Sequence, residues 1–208
     1  NACAYGKCEI SGSSIASGNS RVYGNAKING DVEVRNNAQV FANAHVSGNC
    51  FIEGNSQVFD NAFIKGNVSV KDDAKVFADA TVSGNVFVEG KAKVHGEAAV
   101  SGKVLIMDNA QIYGKAKASG NCVISGDAQV FEEAKISDKV RVFGRAKVHG
   151  HAMVDDTSII LGNSEVKGNA KVIGDSEVRD SAVIGEDAFV FNSKVLGDAN
   201  VQGNATVA

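Results

Sequence analysis

Histidines and cysteines are the residues of this sequence with the widest chemical potential. The chain holds four of each: His45, His95, His149, His151, Cys3, Cys8, Cys50 and Cys122. An imidazole can act as a general base or a metal ligand, and a thiolate as a nucleophile or a metal ligand, when suitable partners lie within a few ångströms. No pair stands at a spacing that forms such a site by itself, so the fold must decide which of them meet.

A second candidate feature is a row of aromatic side chains spaced by 18 residues. Its members are Tyr5, Tyr23, Phe41, Phe59, Phe77, His95, Tyr113, Phe131 and His149. A polar row that includes Arg21, Gln39 and Lys75 stands two residues upstream. Similar side chains stack well on adjacent strands, and a continuous exposed apolar stripe usually marks an interface. We interpret the row as a surface for self-association or partner contact, with a purely stabilising ladder and a carbohydrate-stacking surface as alternatives.

The element that positions these side chains is a six-residue repeat. From Ile10 to Val190, every sixth residue is Val or Ile, except for Ala16 and Ala118. The residue two places before each of these is always Ala, Ser, Cys or Val. Residues two apart share a face of a strand, so both positions point inward. Gly followed by Asn or Asp then provides a corner, because Gly adopts left-handed backbone angles freely and Asn tolerates them.

A period of 18 residues overlies the repeat of six and defines the coil. The small inward residue is enlarged in every third block, at Val32, Cys50, Val68, Val86, Val104, Cys122 and Val140. Three blocks therefore make one coil with three distinct walls, and the chain holds about eleven coils in a prism about 50 Å long. Cys50 and Cys122 then lie about 19 Å apart and cannot form a disulfide, and His95 and His149 lie about 14 Å apart. We expect no metal site and no catalytic residue among them.

Composition excludes several classes of protein. The 208 residues include 23 Gly and no Pro, and the formal net charge is −3. This balance gives no electrostatic footprint for nucleic acid or an anionic membrane surface. No apolar run approaches the roughly 20 residues that cross a bilayer, and no signal peptide is visible. We expect no membrane insertion and leave the localisation open.

The pattern resembles the left-handed parallel β-helix of the hexapeptide-repeat superfamily. The block Ile184-Gly185-Glu186-Asp187-Ala188-Phe189 matches that consensus, whereas most blocks carry Gly one place later, as in uncharacterised bacterial and phage hexapeptide proteins. The left hand comes from this resemblance alone. The superfamily includes acyltransferases with a His general base beside a cleft between trimer subunits, and γ-type carbonic anhydrases with zinc on three His. Both normally add loops or a C-terminal helix, and this register has no insertion up to Val190.

We therefore predict an all-β protein in which residues 1–208 form one solenoid, with three six-residue strands per coil, as a segment of a longer array. The register slips by one residue at 191–195. The predicted function is a non-enzymatic structural or assembly rod without cofactor, which forms a homo-oligomer laterally or end to end. The alternative is an acyltransferase-like enzyme acting at trimer grooves, and the third option is a carbohydrate-binding module.

Overall fold

A computed structural model describes residues 1–208 as a right-angled stack of coils with three flat walls and no helix. Every strand pairs in parallel with the strand of the next coil, and residues 18 apart are partners over most of the length. Since the repeat places one inward pair of side chains in each block, each wall contributes one layer of side chains per coil to a common interior. No helix exists that could cross a membrane.

Wall A is a 12-stranded sheet that carries the aromatic row. Its strands are β1 (Cys3–Gly6), β4 (Arg21–Gly24), β6 (Gln39–Val40), β8 (Gln57–Val58), β10 (Lys75–Val76), β12 (Lys93–Val94), β15 (Gln111–Ile112), β18 (Gln129–Val130), β21 (Lys147–Val148), β24 (Glu165–Val166), β27 (Val183–Ile184) and β30 (Asn200–Val201). Most paired segments are two residues long, shorter than the predicted six, because the corners occupy the rest of each block.

Walls B and C are joined through a shared corner in four coils. There the strands β5 (Lys27–Val34), β7 (His45–Ile52), β9 (Phe63–Val70) and β11 (Thr81–Val88) run through both walls. Wall B also holds β2 (Glu9–Gly12), β13 (Ala99–Val100), β16 (Lys117–Ala118), β19 (Lys135–Ile136), β22 (Met153–Val154), β25 (Lys171–Ile173), β28 (Phe189–Phe191) and β31 (Thr206–Val207). Wall C also holds β3 (Ile15–Ala16), β14 (Leu105–Ile106), β17 (Val123–Ile124), β20 (Arg141–Val142), β23 (Ile159–Ile160), β26 (Glu177–Val178) and β29 (Lys194–Val195).

The interior is the single hydrophobic core that the repeat predicts. The aliphatic row and the small row are buried together, and Val40, Val58, Val76 and Val94 are fully inaccessible. The enlarged positions at Val32 and Cys50 follow the corner between walls B and C. The backbone is opened there, with φ of +110° at Gly30 and +98° at Gly48, against about +70° at most other corners. The wider corner makes room for the larger side chain and explains the period of 18.

The corners correct one expectation from the sequence. The left-handed residue is the first of each Gly-Asn pair, and the Asn that follows has an ordinary φ. The Asn amides instead stack from coil to coil, as in Asn25 Nδ2 to Asn43 Oδ1 at 3.0 Å and Asn43 Nδ2 to Asn61 Oδ1 at 3.1 Å. The Asn is therefore selected for hydrogen bonding along the prism rather than for backbone freedom.

At the predicted slip, Glu177 pairs with Lys194 and Val178 with Val195, an offset of 17 instead of 18. Asn192 takes the left-handed conformation (φ 47°), and its Oδ1 accepts a hydrogen bond from the Asp175 N–H at 2.9 Å. The shortened coil is absorbed at this corner, and the core row continues through Val195, which is 4% exposed.

Candidate functional site

The aromatic row forms a ladder along wall A. From Tyr5 to His149 the nine rings stack one per coil, with centroid separations of 4.5 to 5.1 Å and interplanar angles of 1 to 8°. The parallel register of the strands places each ring directly over the next, because partner residues such as Tyr5 and Tyr23 share one position in the coil. The spacing of the strands thus sets the spacing of the rings.

The rings cover one another and present their edges to solvent. Tyr5 at the first coil is 51% exposed, while the other eight members are half-buried. Two hydroxyls are held by the neighbouring polar row, with Tyr23 Oη donating to Gln39 Oε1 at 3.2 Å and Tyr113 Oη to Gln129 Oε1 at 3.3 Å. Burial raises the pKa of both phenols. Sugars stack on ring faces, so this arrangement offers a carbohydrate little of what it requires.

His95 is an internal member of the ladder. Its ring lies between Phe77 at 4.7 Å and Tyr113 at 5.1 Å. Burial lowers the pKa of His95, a hydrogen bond with Gln111 opposes that shift, and the charge of Lys93 adds to it. The imidazole is therefore neutral at pH 7. A neutral imidazole is the form that can accept a proton.

His149 closes the ladder and enters a charged cluster. Its Nε2 lies 2.9 Å from Glu165 Oε1, and its Nδ1 lies 3.5 Å from Glu132 Oε2. Lys167 Nζ donates to the other oxygen of Glu165 at 2.8 Å. The hydrogen bond from Lys167 is the main reason why the pKa of Glu165 is lowered, and the bond with His149 adds to it. This imidazole is oriented by a carboxylate, as a general base requires.

Sequence reasoning did not find Glu165 and Lys167, because they stand 16 and 18 residues after His149 and are ordinary outward residues of the next coil. Their signal is the coil register itself, which places positions 16 to 18 apart in contact. The other two histidines lie elsewhere. His45 stacks on Phe63 on wall B at 5.1 Å, and His151 lies at a corner with its Nδ1 3.3 Å from Glu133 Oε2.

The cysteines are separate, as the sequence predicts. All four thiols are free, with Cys50 and Cys122 buried, Cys8 half-buried and Cys3 exposed. Burial raises the pKa of Cys50, and burial is likewise the main cause that raises the pKa of Cys122 to about 11. A thiol with such a pKa is protonated at neutral pH, so the two buried cysteines serve as small core residues rather than nucleophiles.

One group of carboxylates has metal-ligand spacing. Asp138, Asp155 and Asp156 at the corner between walls B and C each bring an oxygen within 4.8 Å of the others. Asp155 Oδ1 accepts hydrogen bonds from Ser137 Oγ at 2.6 Å and from the Asp156 N–H at 2.9 Å, and Asp156 Oδ2 accepts one from the Gly174 N–H at 2.9 Å. Two of the three carboxylates therefore serve the corner itself. Without His or Cys, the group does not match a zinc ligand set.

Comparison with known proteins rests on structure, since no family model and no curated protein matches the sequence. The UDP-N-acetylglucosamine acyltransferase of Arabidopsis superposes with a TM-score of 0.67 at 13% identity, covering 88% of this chain and 69% of that one. The corresponding enzyme of Francisella novicida gives a TM-score of 0.34 at 15% identity, covering 79% and 66%, and LpxA of Acinetobacter baumannii 0.36 at 12%, covering 98% and 69%.

These similar structures belong to enzymes, and they favour the acyltransferase alternative over the non-enzymatic rod as far as the comparisons go. An identity of 13% carries the fold and not the activity. The resemblance inferred from the hexapeptide pattern is confirmed at that level: this chain has the left-handed parallel β-helix fold of the hexapeptide-repeat acyltransferases.

Proposed function

We propose that this chain is a structural rod whose wall A is an assembly surface. The observation that carries the proposal is the ladder, nine rings in one unbroken line along a wall that no loop interrupts. Stacking protects the ring faces, and the half-buried edges form an apolar line along the prism. Packing this line against another copy or a partner removes it from water, and every coil contributes equally to such a contact.

The unbroken coils also support the mechanical role. A binding pocket in a β-helix is normally shaped by excursions from the coils, and here each wall runs flat from one end to the other. Backbone hydrogen bonds join every coil to the next, as in Phe41 N–H to Val58 O at 3.0 Å. A prism built this way resists bending, which suits a stalk, spike or spacer.

The test is a triple substitution of Phe41, Phe59 and Phe77 to Ser on the outer side of wall A. We expect the variant to lose wall A association in light scattering and sedimentation, while circular dichroism retains the β-sheet spectrum. The matched control replaces Ser83, Ser101 and Ser119 on wall B with Ala and should associate like the wild type. Unchanged association of the Phe variant, or a wild-type protein with no association at high concentration, would contradict the proposal.

A second candidate is an acyltransferase, and the observations that favour it are the similarity to UDP-N-acetylglucosamine acyltransferases and the His149–Glu165 pair. In this function Glu165 holds the imidazole through Nε2, and Nδ1 takes a proton from a substrate hydroxyl as that oxygen attacks an acyl thioester. Glu132, whose side chain is 57% exposed, would have to move aside from Nδ1. The chain's own residues supply the base and its orienting carboxylate.

This candidate is tested by turnover of UDP-N-acetylglucosamine with acyl-CoA or acyl-carrier donors. Transfer that is lost in His149→Ala or His95→Ala and retained in the corner control His151→Ala would establish the enzyme and replace the rod. Absence of transfer in the wild type with the full donor range leaves the rod as the function.

A further inference from the structure

Wall C carries an apolar surface that the aromatic ladder does not explain. In the middle coils its two outward rows hold Phe87, Leu105, Met107, Val123, Ile159 and Leu161. All are partly exposed, Phe87 the most at 39%. The corresponding outward row of wall B holds Ser83, Ser101, Ser119 and Ser137 at the same level of the prism. The apolar character therefore belongs to one wall and is not a general property of the repeat.

Charged residues bound this apolar surface at both ends. Glu33 forms an ion pair with Arg35 before it, and Glu177 lies 3.6 Å from Arg179 after it. In each pair the Glu belongs to the first outward row of wall C and the Arg to the second row, two residues later along the strand. The two rows run parallel along the prism, about 7 Å apart.

The order of the rows selects the occupant. If a second copy faces wall C with its long axis parallel, related by a two-fold axis along the prism, the first row of each copy meets the second row of the other at the same coil. Leu105 then faces Met107 of the second copy, and Ile159 faces Leu161. The same operation sets Glu33 against Arg35 and Glu177 against Arg179 at the two ends.

The remaining charged residue of the middle coils also finds a partner in this arrangement. Arg141 of the first row faces Phe143 of the second copy, which is a cation–π contact. The antiparallel arrangement, centred on Val123 so that the same apolar surface is covered, sets Leu105 against Arg141 and Lys71 against Arg179. It desolvates one cation on an aliphatic side chain and brings two like charges together.

We propose that wall C is a homodimer interface in which two copies pack side by side in parallel, first outward row against second. The contact spans nine coils, about 40 Å by about 15 Å or on the order of 600 Å² per copy, which approaches the roughly 800 Å² per partner of a standard interface. The flat wall and the constant register allow all coils to meet their counterparts at once. The inference is independent of the proposed role of wall A.

The first test is sedimentation equilibrium of a Leu105→Arg, Ile159→Arg double variant. Both side chains are outward, so the fold should persist, and unchanged thermal unfolding followed by circular dichroism verifies this. We expect the wall C dimer to dissociate. The matched control, Thr81→Arg with Ser101→Arg on wall B, should keep the dimer. A double variant that associates as strongly as the control overturns the inference, and it does so whatever the Phe-to-Ser variant of wall A shows.

The second test reads the orientation from charge. In the parallel dimer Arg179→Glu sets two carboxylates against each other at both symmetry-related contacts and should raise the dissociation constant about tenfold. Adding Glu177→Arg to the same chain restores opposite charges and should recover the affinity. In the antiparallel arrangement Arg179→Glu faces Lys71 and tightens the dimer instead. Tighter binding, or no recovery in the double variant, overturns the parallel arrangement.

Discussion

Single side chains in the core differ in whether their polar atoms are satisfied. Ser56 occupies a small inward position, is fully buried, and its hydroxyl has no hydrogen-bond partner. Ser164 occupies an equivalent position, and its Oγ donates to Leu161 O at 2.8 Å. An unpaired buried hydroxyl costs about 1 to 3 kcal/mol. We expect Ser56→Ala to raise the free energy of unfolding by about 1 kcal/mol.

Ser164→Ala is the comparison for this prediction, because it removes a hydroxyl whose hydrogen bond is made. It should be neutral or destabilising in chemical denaturation followed by circular dichroism. If both variants are stabilised equally, helpful removal of any hydroxyl from the core explains the result, and the hydrogen-bond assignment is wrong.

His95 makes stability depend on pH in one direction. Its folded pKa is lowered by burial, whereas the unfolded chain has the ordinary value of 6.5. The unfolded state therefore binds the proton more strongly, so the contribution of this residue is full above pH 6.5 and declines as the pH falls below it. His95→Phe keeps the stack with Phe77 and Tyr113 and removes the titration.

The measurement is the free energy of unfolding between pH 5 and pH 8 for both proteins. The difference between His95→Phe and the wild type should be constant at the alkaline end and should grow in favour of the variant toward pH 5. A difference that does not change with pH would mean that His95 titrates alike in the folded and unfolded states.

At the scale of the strand and corner, the sequence predicts the core far better than the corners. The alternation of Val or Ile with small residues determines which side chains face inward, because a strand has a period of two and the other register would bury Lys27 and Gln39. The corner chemistry depends on the next coil. That Asp72 Oδ2 accepts the Gly90 N–H at 3.0 Å, and that Asn25 bonds Asn43, follow from contacts 18 residues apart.

Two corners are built on alanine in a left-handed conformation. Ala42 and Ala78 both have a φ of 58°, where a side chain costs about 1 to 2 kcal/mol. Glycine avoids that cost but gains freedom in the unfolded chain. We expect Ala42→Gly to raise the free energy of unfolding by up to about 1 kcal/mol. The control Ala44→Gly, in the buried row with no need for a left-handed backbone, should lower it in the same denaturation experiment.

At the scale of the whole molecule, the sequence predicts the ladder but not the cluster at its end. A spacing of 18 identifies all nine rings, since one period determines every contact along wall A. The His149–Glu165–Lys167 cluster and the row complementarity of wall C depend on pairs of neighbouring rows, which a single period does not reveal. Likewise, the sequence predicts an exposed aromatic stripe, and the structure shows that stacking leaves only the ring edges accessible.

The two ends of the prism are unequal in their backbone hydrogen bonds. Donors point toward the C-terminal end throughout, as in Cys3 N–H to Ser20 O at 3.0 Å and Phe189 N–H to Ala205 O at 2.9 Å. Amides of the first coil are therefore bonded, whereas amides beyond about residue 193 have no further coil to accept them. Since each coil contacts its neighbours alone, opening should begin at the ends.

Hydrogen exchange followed by mass spectrometry should therefore show an asymmetric gradient. We expect residues 196–208 to exchange fastest, because their N–H groups lack acceptors. The first coil should exchange at an intermediate rate, since its amides are bonded although Ile10 and Ile15 are 38% and 52% exposed. The central coils should be the slowest, because exchange there requires breaking contacts on both sides. Protection of residues 196–208 that disappears on dilution would instead mean that another copy stacks on that end and supplies the missing carbonyls, adding an axial contact to the lateral ones of walls A and C.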